Sequence, residues 1–284
     1  MDREDLRGSF IIARRELNAN IRSARMIILT LLLALIVVTI SWLFGSTMGT
    51  WVAQVSSGLK NQPYGPDVLL ATVAFFMGIS CAFFSLFFAY DDISREKTSR
   101  SLQFLLLKPI DDRAVMLGKF LGTFSTVAMP VVAVTIASVL TIWYTSGQSP
   151  TVLGTLGFLL CIFLVIGICI SFEHSLSMVF KTSTSSLIAG LASMLVMTSF
   201  WQLIVGAIAL ATKNMNPAFM EKTSLFNPFP AVGNCAYIYA VTLFTGGEEL
   251  TSIPSWLPLL ALFLWFLLFL GLSVFSFKRM VRKL

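Results

Sequence analysis

Few residues of this 284-residue chain have the types and spacing that chemistry requires. Its one histidine, His174, follows Glu173. That pair would suit a pH-sensitive switch or a metal ligand, but one imidazole without a second histidine or a cysteine nearby cannot close a metal site. Packing, or contact with a partner, is the simpler role for both residues. The four cysteines, Cys81, Cys161, Cys169 and Cys235, show no paired spacing, and three of them lie in apolar stretches. They read as reduced packing residues. Methionines number 12, with Met194 and Met197 three positions apart. Thioethers suit cuprous ions, yet Met is first of all a flexible filler of apolar space. The Gly118-Lys119 pair lacks the preceding glycine-rich loop and the following Ser or Thr of a phosphate cradle. ATP hydrolysis within the chain is therefore not expected, and no catalytic, cofactor-binding or metal-binding residue is assigned.

The elements that would carry these residues are apolar helices. Hydrophobic residues make up 56% of the chain and charged residues only 12%, and the mean hydropathy is +0.84. A soluble domain carries about 25% charged residues, so this chain lacks the polar material to cover a water-facing globule. The apolar residues fall into blocks of about 20, the length a helix needs to cross roughly 30 Å of hydrocarbon. Alternation at period two, the mark of a membrane barrel, is absent. The reading is an all-α, single-domain, polytopic membrane protein with spans near 26–44, 68–90, 122–143, 152–172, 186–211 and 257–277. The long polar stretch before the first block does not resemble a cleavable signal.

Charge then orients the spans. With both termini in the cytoplasm, 17 Lys and Arg fall on the inner side, against Lys60, Lys213 and Lys222 outside. Such a bias sets topology. It also argues against nucleic acid as the partner of this basic chain, because the cations border the apolar blocks, where anionic headgroups lie. Ala231–Phe244 is apolar but only about 14 residues long, too short to span. A seventh span there would send Lys278–Lys283 outside, so 231–244 reads as re-entrant or interfacial within an outer loop of 212–256. Glu248-Glu249 reads as a solvated turn of that loop, and Trp42, Trp143, Tyr144 and Trp256 as interfacial anchors.

By these boundaries no ionisable residue lies in the body of a span. Ion-coupled transporters mark their routes with such residues, and intramembrane enzymes need an acid or base at depth. Both classes are disfavoured. In the fifth block Ser185, Ala189 and Ser193, with Ser186 and Gly190 beside them, would let another helix approach closely. Before the first span, Leu6, Phe10, Ala13, Leu17 and Ile21 recur at helical steps with arginines on other faces. This predicts a helix over 1–25 lying along the inner surface.

The inner segment 91–119 is the most informative. A charged start leads to Leu102, Leu105 and Leu106 on one helical face, and Pro109 ends that helix. A second short helix would carry Val115, Met116 and Lys119 towards the third span. An apolar face with a polar rim suits docking of a cytoplasmic partner.

In this segment the sequence resembles the permease subunits of ABC type-two exporters. Their pattern Glu-x-x-x-Gly-Thr-Leu-x-x-Leu-Leu-x-x-Pro, followed by Gly-Lys, is met here by Glu96, Ser101, Leu102, Leu105, Leu106, Pro109, Gly118 and Lys119. The family's glycine is Arg100 here, and the arginine usual three places after the proline is Asp112, with Arg113 one place late. Ala13-Arg14-Arg15-Glu16-Leu17, followed by Arg22, is similar to the family's elbow helix. The nearest branch in pattern serves maturation of the copper sites of nitrous oxide reductase. The resemblance implies a half-transporter of the cell membrane that pairs with itself or a paralogue. It would bind no cofactor of its own and be energised by a separate ATPase holding ATP and Mg. Arg95 and the eight motif residues would form the coupling surface, and 91–119 the coupling loop. The alternative is a non-transporting membrane scaffold that anchors a protein assembly.

Overall fold

The computed structural model describes residues 3–58, 66–99, 111–213 and 256–282, together with isolated positions between 219 and 229 and Pro254. Among these residues the chain is mostly helical, with short turns between the helices and no strand. It runs α1 Arg3–Ile21, α2 Ala24–Gly58, α3 Pro66–Ala89, α4 Ser94–Thr98, α5 Asp112–Ser146, α6 Val152–Val179, α7 Ser183–Leu195, a π-helical turn Val196–Phe200, α8 Trp201–Ala211 and α9 Leu257–Val281. Six of the described helical stretches are long and apolar enough to cross a membrane, beginning at Ala24, Pro66, Asp112, Val152, Ser183 and Leu257. The protein is a multi-pass membrane protein.

The apolar runs explain why these segments are helices: no lipid-exposed backbone can leave its amides unpaired, and the helix pairs them internally. Local signals set several ends. Asp111 caps α5, its carboxylate accepting from Arg113 N at 3.3 Å, and Thr151 caps α6, its hydroxyl accepting from Gly154 N at 3.0 Å. Gly147, at φ 73°, closes α5 in the left-handed conformation that glycine tolerates.

The main core lies among α3, α5 and α6, with α2 and α9 packed outside. Phe120, Phe124, Phe163 and Phe266 form a run of ring contacts through it, with centroids 5.8–6.0 Å apart. Buried hydroxyls mostly donate to the carbonyl one turn earlier, as Thr126 does to Gly122 O and Thr135 to Val131 O. Ser41 and Ser138 meet across α2 and α5 at 2.6 Å. A smaller apolar core of Ile12, Ile93, Val115, Met116, Met178, Phe277 and Met280 sits at the α1 end of the bundle.

Three expectations change. Val115, Met116 and Lys119 do not form a separate short helix, because α5 is continuous from Asp112. The helices run past the expected span ends and carry buried charged or titratable residues there: Asp67 in α3, Lys119 in α5, and Glu173 and His174 in α6. Hydropathy marks where apolar residues stop, whereas a helix continues as long as neighbours pair its polar side chains. The buried small face of α7 is Ser186 and Gly190, one residue over from the exposed Ser185. It packs against α6 of the same chain.

Candidate functional site: an ionic bracket at the α1 end

α1 lies alongside α5 because α5 presents glycines to it. A Cβ on Gly118 would stand 2.6 Å from Ser9 O, and one on Gly122 would stand 2.9 Å from Ala13 O. Two glycines four residues apart thus make a smooth strip on which the α1 backbone rests. Ser9 and Ile12 are buried, while Leu6, Phe10 and Ile11 face outwards. The predicted apolar stripe is therefore divided: Ala13 turns to α5, and Leu6 and Phe10 remain for lipid. Asp5 extends the contact, accepting from Asp111 N at 3.3 Å.

Close approach places Lys119, the residue after Gly118, under α1. Its side chain is only 1% exposed, and Nζ stands 3.3 Å from Glu16 Oε1 and 2.9 Å from Glu96 Oε2. It also donates to Asp92 O at 3.2 Å. One buried cation thus joins α1, α4 and α5. Arg15 closes the outer side, with Nη2 2.9 Å from Glu16 and 3.0 Å from Glu96. Glu16 first, then Glu96, hold the Arg15 guanidinium above its usual pKa. Burying a lysine is costly unless carboxylates pair with it, and here two do.

Next to this bracket Asp92 ties α3 to α5 and α6. Its Oδ2 accepts from Thr123 Oγ1 at 2.5 Å and stands 3.1 Å from His174 Nε2. Arg25, at the start of α2, reaches Asp91 at 3.3 Å and Phe87 O at 3.0 Å, with Tyr90 under its guanidinium. On the far side of α4, Lys97 Nζ donates to Met178 O at 3.0 Å and Phe180 O at 3.2 Å. These are carbonyls at the end of α6, where a cation is favoured. Ser94 N donates to Ser177 Oγ, and Ser94 Oγ to Ser183 Oγ, both at 3.0 Å. The five-residue α4 is thus fastened to α1 and α5 on one side and to the α6–α7 junction on the other.

The candidate site residues therefore divide by position. Gly118 and Lys119 are interior, Glu96 is partly buried in the bracket, and Arg95 is exposed. Ser101, Leu102, Leu105, Leu106 and Pro109 lie outside the described residues, as does 231–244. Asp92 and Lys97 do not stand out in the sequence as site residues, and Thr123 reads there only as a hydroxyl of the third span. The available signal was the presence of acids beside long apolar blocks in a chain poor in charge. Glu173 and His174 are fully buried, so they face neighbouring helices and no outside partner. Glu173 accepts from Ser186 Oγ at 3.1 Å. Among the described residues no group of three His, Cys, Asp or Glu is placed to hold a metal ion. The arrangement is a mechanical tie between helices.

A family model described as ABC-2 family transporter protein matches residues 10–281. No curated protein matches the sequence.

Proposed function

Because the chain belongs to the ABC-2 transporter family, we propose that it is the permease subunit of an ATP-driven exporter, energised by a separate ATPase that docks on the 91–119 loop. The observation that carries this reading is the fastening of α4. Glu96 is held by Lys119 and Arg15, while Lys97, one residue on, is held by the end of α6. A force applied to the loop that follows α4 would reach α1, α5 and the α6–α7 junction together. Such a joint lets closure of an ATPase rock the spans as a unit.

The 17-to-3 division of Lys and Arg supports a cytoplasmic α1 end, and with it cytoplasmic termini. In this reading Leu102, Leu105 and Leu106 supply the apolar docking face, rimmed by Arg95, Ser101 and Pro109. The bracket of Glu96, Gly118 and Lys119 holds that face in register. A second permease copy, or a paralogue, completes the pathway. In motif pattern the chain is nearest the permease branch that serves copper-site maturation.

The test is a mild-detergent purification of the tagged protein from its native membrane, with mass spectrometry and ATPase activity measured on the eluate. A stoichiometric ATP-binding subunit is expected, and Leu105→Asp is expected to lose it while the permease stays in the membrane. Recovery without any ATPase, under conditions that keep a known transporter whole, would replace this reading with that of a membrane scaffold.

A further inference from the structure

The helical line from Ser183 to Ala211 is interrupted by the π turn Val196–Phe200. Met197 stands 14 residues from either end of that line, or about 21 Å at 1.5 Å per residue. That is mid-depth for a span. Single π turns inside α-helices recur at functional positions, so its partners matter.

The partner is a piece of chain from the loop that follows. Asn227 is 2% exposed, and its Nδ2 donates to Met197 O at 2.7 Å. Its Oδ1 accepts from Phe229 N at 3.1 Å, an Asx-type turn that Pro228 accommodates. Phe229, also 2% exposed, enters the main core. From the other side Trp265 of α9 donates its Nε1 proton to Leu225 O at 3.2 Å. Trp265 stacks on Phe269 with centroids 5.5 Å apart, and Phe269 meets Phe172 of α6 at 5.2 Å. The chain at 225–229 therefore dips between the fifth and sixth spans. The irregular backbone of 225–227 persists at this depth only where protein covers it or water fills a cavity beside it. Here Asn227 supplies both a donor and an acceptor.

We propose that Asn227 is the latch of an outer gate: it holds the π turn of the fifth span to the re-entering segment 225–229 while the gate is closed, and each opening releases that hydrogen bond. The proposal rests on the transport reading given above. The carbonyl of a π turn is a fitting catch, because it can take a second donor without a break in the helix on either side. Asn227 acts through the helix it holds, so it is a positioning residue. Phe229 and Trp265 set the seat to which it returns.

Hydrogen exchange followed by mass spectrometry tests this on the full chain with its ATPase in nanodiscs. Peptides covering 193–203 and 225–229 are followed without nucleotide and with ATP plus vanadate. In the wild-type complex both should exchange slowly at rest and about tenfold faster in the nucleotide state, the change expected for one buried hydrogen bond. Asn227→Ala should show the faster exchange in both states. Trp265→Phe keeps the ring stack but drops the donor to Leu225 O, and should give a smaller rise in 225–229 from a folded protein. Slow resting exchange in Asn227→Ala would overturn the latch. If nucleotide moves peptides around Lys119 but neither of these two, the latch falls and the transport reading stands. If nucleotide moves no peptide, the transport reading falls and the latch with it.

Discussion

The two ends of this bundle are held by different chemistry. At the α1 end the ties are mostly ionic: Lys119 to Glu16 and Glu96, Arg15 to the same two acids, and Arg25 to Asp91. At the opposite end they are mostly neutral or capping bonds. Asp67 of α3 accepts from both the backbone N and the hydroxyl of Thr151 at the start of α6, at 3.0 and 3.1 Å. Midway along the fifth span Asn227 adds another neutral tie, to the Met197 carbonyl. Charged ties between helices can be exchanged when another charged surface arrives, and they respond to salt where they are exposed. Neutral ties in an apolar surround depend on geometry alone. The difference fits the transport reading proposed above, in which the ionic end receives a partner and the neutrally tied part closes.

The sharpest way to break the comparison is to remove the cation at its centre. Lys119→Met removes the fully buried partner of Glu16 and Glu96 and leaves them only the half-exposed Arg15, and should cost about 3 kcal/mol, the loss expected on breaking a buried ion pair. The melting temperature of the detergent-purified protein should fall, and α1 should become open to protease. Gly122→Val comes next. Its added carbons would meet Ala13 O and the Glu16 Cβ, lifting α1 at a cost of about 2 kcal/mol. Limited proteolysis within 3–21 would report it, with little change at the Thr151 end. The smallest effect belongs to Arg15→Ala. Its side chain is 56% exposed, so solvent screens its pairs and the loss should stay below about 1 kcal/mol. That loss should shrink further as salt is raised.

How much of this was legible in the sequence depends on what each residue answers to. The six apolar helices were, because hydrocarbon imposes one length and one backbone solution on any crossing segment. The Gly118-Lys119 pair was legible as a motif, but its physical reason was not. Gly118 matters through Ser9, and Lys119 through Glu16, more than 100 positions away in the chain. Spacing within 91–119 carries no trace of either. The same holds for Asp92, which reads as loop until Thr123 and His174 enclose it. The division of the α1 stripe was hidden because Leu6 and Ala13 are both apolar. Only the glycine strip on α5 decides which of them turns inwards. The π turn at Val196–Phe200 leaves no periodic signature, since one widened turn in an apolar helix shifts the pattern by a single residue.

The account turns on Lys119 and Glu96 being one joint, and a double-mutant comparison of thermal unfolding tests this most directly. Glu96→Gln, Lys119→Met and the two together are measured beside the wild type in one detergent. If the two side chains form the joint, neutralising Glu96 relieves the charge that Lys119→Met leaves behind, and the double variant melts above Lys119→Met alone. If the double variant melts lower, by the sum of the two single effects, the residues act independently and the bracket is not the joint through which the loop moves the spans.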